Sequence, residues 1–267
     1  MIFWWLVVCL AVCLIGVTKS GFGSGVGLMI VPMTAIAMGY TPRGSASALG
    51  LLLPLLVTGD LIAVWQYRHL LRPGTVPIQA VQRLLPGTVG GLALGGWLLY
   101  TLHKNTELVG SLIRIEIGLE AIGLVSLHWW REFRGVQKSL MPEPWRSHLT
   151  GGFSAASSTL AHAAGPIVAM YLLPLKLDRQ AYVGTSAIYF FLLNTAKLPV
   201  YYAGGMFKDA ELSFTLKFLP LVIAGAIFGR WINRRMNDRL FTRIVYIITF
   251  ALGWYVLYQG AAALIHR

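Results

Sequence analysis

The chain has 267 residues, 56% of them hydrophobic and only 12% charged, with a mean hydropathy of +0.66, which excludes a soluble globular domain and indicates a polytopic membrane protein. A net charge of +12 and a pI near 10.0 would suit nucleic acid in a soluble protein, but these Lys and Arg residues lie in short loops between apolar spans. Nucleic acid is therefore excluded as a partner, and the lipid bilayer takes its place.

The first seventeen residues, MIFWWLVVCLAVCLIGV, carry no Lys or Arg, so they lack the charged start of a cleaved signal peptide and are expected to be mature structure. Cys9 and Cys13 share one helical face with no metal-type partners nearby, and they read as small apolar residues. No metal site and no cofactor motif is present. The run 2–38 reads as helix, break, helix, because Gly21, Gly23, Gly25 and Gly27 each cost about 1 kcal/mol in a helix interior and Pro32 removes a donor. Unwound backbone at membrane depth has to be buried in protein or line an aqueous cavity. A helix restarting from Leu28 onward would aim its first amides at that break, beside Lys19, where an anion could be held. The plainer alternative is glycines that permit close helix packing and a lysine that reaches the surface.

Apolar spans follow at 45–66, 80–101 and 108–128, each long enough for a hydrocarbon core of about 30 Å. The polar stretch 129–147 then divides the chain into a first transmembrane repeat, 1–128, a cytoplasmic linker, 129–147, and a second repeat, 148–267. The second repeat opens with another interrupted run, 148–174, broken around SSTLAHAAGP, and continues with spans at 181–203, 212–232 and 240–264.

The halves are related to each other. Residues 85–97 (LPGTVGGLALGGW) and 219–231 (LPLVIAGAIFGRW) share Leu, Pro, two glycines and Trp at an offset of 134. The offset becomes 138 from Gly27 to Gly165 and 139 from Ser47-Ala48 to Ser186-Ala187, so the order is kept. Charge placement then bears on orientation. Eight full crossings would divide the loop Lys and Arg residues eight against nine. If each broken segment instead enters and returns on one side, only Arg43, Lys104, Lys208 and Arg267 face outward, against thirteen facing the cytoplasm. The predicted fold is thus all-α with two inverted repeats, each a re-entrant broken segment plus three transmembrane helices, and both termini outside.

Within the spans the charges are Lys19, Asp60, Arg114, Glu116, Glu120 and Lys197, with His162 at the second break, and each is a functional candidate by its cost in lipid. Asn194 and Lys197 share a helix face just before Pro199. Lys197 corresponds to Thr58 of the first half, two residues before Asp60, so an Asp60–Lys197 or Asp60–Lys19 pair is expected, either functional or simply fixing packing. His162 could bind an anion, relay a proton or be a hydrogen-bonded core residue. Glu116 and Glu120 share a face and could form a proton path.

These motifs resemble the TauE/SafE sulfite exporter family, also known as toluene sulfonate uptake permeases, over nearly the whole chain. The likeness rests on Lys19, Gly21, Phe22, Gly25, Gly27, Val31 and Pro32 in the first half. In the second it rests on Ala161, His162, Gly165, Pro166, Val183 to Ser186, Asn194 and Lys197 to Pro199; Ala164 departs from a common glycine. The resemblance implies a secondary transporter of small organosulfur anions such as sulfite, sulfoacetate or other sulfonates, in the cytoplasmic membrane. The residues expected to hold the anion are Lys19, Ser20, Gly21, Phe22, Gly23, His162, Gly165, Asn194 and Lys197, with Asp60 and His162 as proton-coupling groups. A passive anion channel would need the same basic pocket without a coupled acid. An intramembrane enzyme using Asp60 and His162 lacks any nucleophile motif. A homodimer is one assembly open to such a protein.

The orientation is checked by impermeant thiol labelling of single cysteines at positions 43 and 179. Labels on opposite faces of the membrane are expected from re-entrant segments, and labels on the same face from eight full crossings.

Overall fold

The computed structural model describes residues 2–23, 30–39, 47–101, 142–207 and 215–265, with scattered helical positions between 111 and 134. Gly25, Gly27, Leu28, Arg43, Lys104, Arg114, Glu116, Glu120 and Lys208 lie outside the described residues. Among those described, all regular structure is helical and no strand occurs. The order is α1 (Ile2–Val17), a widened π-type turn (Thr18–Phe22), α2 (Ile30–Gly39), α3 (Ser47–Tyr67), α4 (Val76–Thr101), α5 (Pro144–Ala161), α6 (Gly165–Leu172), α7 (Arg179–Ala203), α8 (Leu219–Arg235) and α9 (Asp238–Ile265). Among the described residues, three stretches are long and apolar enough to cross a membrane: Ile2–Phe22, Ala48–Leu70 and Val76–Thr101. Large side chains such as Phe3, Leu6, Val89, Trp97, Ile227 and Phe228 are exposed, as lipid-facing residues of a helical membrane protein are. The first turn of α5 takes up residues 144–147 of the linker stretch, and Pro199 leaves α7 unbroken as far as Ala203.

The first break falls at Gly23, within the glycine pattern, and a wide turn leads into it. The helix does not stop at Lys19 but widens and continues to Phe22, because the carbonyls loosened by the wide turn find donors. Gly23 N–H donates to Thr18 O at 2.7 Å, Tyr67 OH to Ser20 O at 2.7 Å, and Asn233 Nδ2 to Gly21 O at 2.8 Å. Gly23 then turns the chain with φ of 73°, a conformation favouring glycine. At the second break the left-handed residue is His162, φ 52°, which stands 139 positions after Gly23. Ala164 has ordinary right-handed angles, φ −69° and ψ −6°, so an alanine fits there without strain.

Two helix pairs pack backbone to backbone. On α8, Gly225 lies against Cys13 and Val17 of α1, and Gly229 against Val17 and Gly21; on α4, Gly91 lies against Gly152 of α5 and Gly95 against Ala156 and Thr159. Each half thus lends its glycine helix to the broken helix of the other. The matching partners Cys13 and Gly152, or Val17 and Ala156, are again 139 apart.

Contacts at one end of the helices tie several chain turns together. Tyr171 near the end of α6 donates to Ser147 Oγ in the first turn of α5 at 3.1 Å, so α6 returns to the end from which α5 set out. At the end of α3, Tyr67 meets Gly184 of α7, and the Arg230 guanidinium lies 5.9 Å from the Tyr67 ring. Arg179 Nε donates to Asn233 O at 2.7 Å, meeting a carbonyl left free at the C-terminal end of α8.

A methyl group at Gly225 would overlap the Cys13 carbonyl, whereas one at Gly90 meets nothing within 4 Å. Gly225→Ala should therefore destabilise the detergent-solubilised protein by roughly 1–3 kcal/mol, and Gly90→Ala should leave the melting temperature unchanged or higher. Equal melting temperatures for the two variants would contradict this packing.

Candidate functional site

One face of α7 carries Ser186, Phe190, Asn194, Lys197 and Tyr201, spaced by three and four residues as a helical stripe requires. The two breaks and α3 are arranged along it. Ser186 lies at the first break, where a Cβ on Gly23 would come within 3.0 Å of the Ser186 Cβ. The hydroxyls of Ser20 and Ser186 are both buried there without a hydrogen-bond partner.

One helical turn along, the Lys19 ammonium lies 4.1 Å from the centre of the Phe190 ring and 2.8 Å from Asp60 Oδ1. Asn194 Nδ2 donates to the other carboxylate oxygen, Oδ2, at 2.7 Å. Asp60 is fully buried and Lys19 nearly so, with 0% and 8% of their surface exposed, so this ion pair is held away from solvent. Its carboxylate is satisfied on both oxygens, the condition under which a buried pair persists.

The second cluster surrounds Lys197, which is 0% exposed. Its Nζ donates to Ser158 O at 3.0 Å, to Ser158 Oγ at 2.9 Å and to His162 Nδ1 at 2.8 Å, three acceptors for the three N–H bonds of an ammonium. His162 Nε2 faces Leu49 O at 3.3 Å, so the ring proton is assigned there, which leaves Nδ1 to accept from Lys197. Tyr201 OH donates to Thr159 O at 2.8 Å. Lys197 and Tyr201 together satisfy carbonyls at the C-terminal end of α5, where the helix dipole favours a cation.

Most of these groups are among the residues that the sequence marks, and Asp60 makes one of its two expected pairings. Of the two pairings open to Asp60, the structure has Lys19, and Lys197 lies with Ser158 and His162 instead. Ser20 and Gly21 supply carbonyls to Tyr67 and Asn233, Phe22 packs against the core around Tyr67 and Val183, and Gly165 opens α6. The amides expected beside Lys19 fall outside the described residues. Ser158, Tyr201, Tyr67 and Asn233 were not singled out. Ser158 was within reach, being 139 positions after Lys19, and Tyr201 lies one turn beyond Lys197; nothing in the run around Asn233 marks it.

Apolar helices that cover a buried, charged, hydrogen-bonded junction of two broken segments make this a helical membrane protein. The chain belongs to the sulfite exporter TauE/SafE family, whose model matches residues 8–256. No curated protein and no solved structure matches it at a significant level.

Removing one member of the ion pair leaves the other buried alone. Lys19→Met should cost about 3–5 kcal/mol of stability, and adding Asp60→Asn, which removes the second charge but keeps the Asn194 contact, should restore most of it. The melting temperatures of the single and double variants in detergent test this, and additive losses would mean that the pair is not coupled.

Proposed function

We propose that the protein is a secondary transporter that moves small organosulfur anions, such as sulfite, sulfoacetate or other sulfonates, across the cytoplasmic membrane. The observation that carries this reading is the pair of buried lysines meeting one face of α7 at the two breaks, with a single carboxylate, Asp60, between them among the described residues. Cations placed so deep are costly unless an anion joins them. Family membership supports sulfite and its relatives as that anion. Lys19, Lys197, His162 and Asn194 bind it, with Ser20, Gly21, Phe22, Gly23 and Gly165 forming the backbone walls of the two breaks.

In this reading the two halves are inverted repeats, and alternating access is their rocking about the junction. Support comes from the return of α6 to the start of α5, from the reciprocal glycine packing, and from the paired left-handed residues Gly23 and His162. The meeting of Tyr67, Gly184 and Arg230 at one end favours the arrangement with thirteen cytoplasmic Lys and Arg residues. Proton coupling runs through Asp60: when substrate takes Lys19 from it, the freed carboxylate accepts a proton, and the two bindings strengthen each other. His162, held by Lys197, is the rival for this role.

Reconstitution in liposomes with labelled sulfoacetate tests the reading. Lys197→Ala should weaken binding on the order of 30-fold or more. Asp60→Asn should bind substrate yet fail to accumulate it against a gradient. Undiminished affinity in Lys197→Ala, or wild-type accumulation in Asp60→Asn, would remove the respective role. Flux that a proton gradient never drives uphill would favour the channel.

A further inference from the structure

The transport reading leaves open how many charges the substrate carries, and the junction itself can be counted. Counted as ammoniums, Lys19 and Lys197 contribute two positive charges and Asp60 one negative; with the His162 proton assigned to Nε2, facing Leu49 O, the ring adds none, and Tyr201 donates to a carbonyl. The described cluster therefore holds one surplus positive charge. It also has a definite location. Lys19 is bound to a carboxylate oxygen at 2.8 Å, whereas all three contacts of Lys197 are to neutral groups, Ser158 O, Ser158 Oγ and His162 Nδ1. The surplus charge is at Lys197.

An uncompensated buried ammonium attracts an anion, and one already paired yields only in exchange for its partner. On α7, Phe190, whose ring lies 4.1 Å from the Lys19 ammonium, and Lys197 are seven residues apart, a rise of about 10 Å between their backbone positions. Asn194 stands between them, holding Asp60. A ligand with one negative group can thus satisfy Lys197 and leave the Lys19–Asp60 pair intact. A ligand with a second negative group reaches Lys19 only by displacing Asp60.

We propose that the charge of the substrate sets its coupling: a dianion is bound together with one proton, and a monoanion with none. The inference rests on the transport reading above and fixes which organosulfur anions are accumulated by a proton gradient, namely those with two negative charges. Charge balances in both cases. One negative charge neutralises the surplus at Lys197. Two negative charges would leave the junction one charge too negative, and a proton taken from bulk water by the Asp60 carboxylate restores neutrality while Lys19 moves to the ligand. From the elements packed against α3, the other groups that face this region are Lys19 from the wide turn, Lys197 from α7 and His162 from the second break. Tyr67 and Arg230 lie further along, at the end of α3.

The test is proton uptake on binding, measured with an indicator dye in weakly buffered detergent solution, well above the carboxylate titration of the free ligand. Sulfoacetate is the dianion and ethanesulfonate the permanent monoanion. About one proton per sulfoacetate bound and none per ethanesulfonate is expected, with sulfoacetate affinity falling about tenfold per pH unit on the alkaline side and ethanesulfonate affinity flat. Asp60→Asn should abolish uptake with sulfoacetate; if that variant does not fold, the wild-type comparison of the two ligands still decides. Equal proton numbers for both ligands, whether zero or one, would overturn this inference and leave the transport reading standing. Binding of neither would overturn both.

Discussion

Hydrocarbon offers no hydrogen bonds, and this constraint governs the molecule. A helix interrupted at membrane depth releases carbonyls that only other protein groups can satisfy. Here the donors are side chains from elsewhere in the chain: Tyr67 and Asn233 at the first break, Lys197 and Tyr201 at the second. Each break is thereby drawn inward against α3, α7 or α8. The burial of the two lysines follows from the same requirement, since one of them is itself a donor to the broken backbone.

Stability and chemistry are consequently carried by the same atoms. Lys197 closes the end of α5 and is also the least compensated charge in the described junction. Lys19 fixes α3 to the wide turn through Asp60, and exchange of that partner is what couples substrate to proton in the proposed cycle. A group that is wholly structural would be satisfied once and for all. These lysines have hydrogen bonds or pairs that a sulfonate oxygen could equally supply.

Much of this was legible in the residues. The spans were plain from apolar length. The breaks were plain from clustered glycines and from SSTLAHAAGP, because residues that disfavour a helix are costly inside an apolar span unless the helix is interrupted there. Burial of Lys19, Asp60 and Lys197 followed from their scarcity. The first break falls among the four glycines, at Gly23, but the wide turn that precedes it was not legible, because propensity describes a helix in isolation and Tyr67 and Asn233 act from a distance in sequence. Which lysine Asp60 would choose was likewise not legible: helical spacing orders residues on one element but says little of the angle at which another crosses it. Asn233, embedded in a basic run, carries no signal of its own in the sequence, and it donates to Gly21 O.

The exchange of glycine helices between the halves has a consequence for how the chain is made. The wide turn is synthesised first, yet its Gly21 carbonyl waits for Asn233, 212 residues later. Backbone so exposed in the bilayer would be a liability throughout insertion. The Lys19–Asp60 pair needs only 41 residues to close, since 60 less 19 is 41, and both its members belong to the first half. The nascent hairpin can thus cancel its own charge before any of the second half exists. The pair closes within the first half, ahead of every contact that the second half supplies.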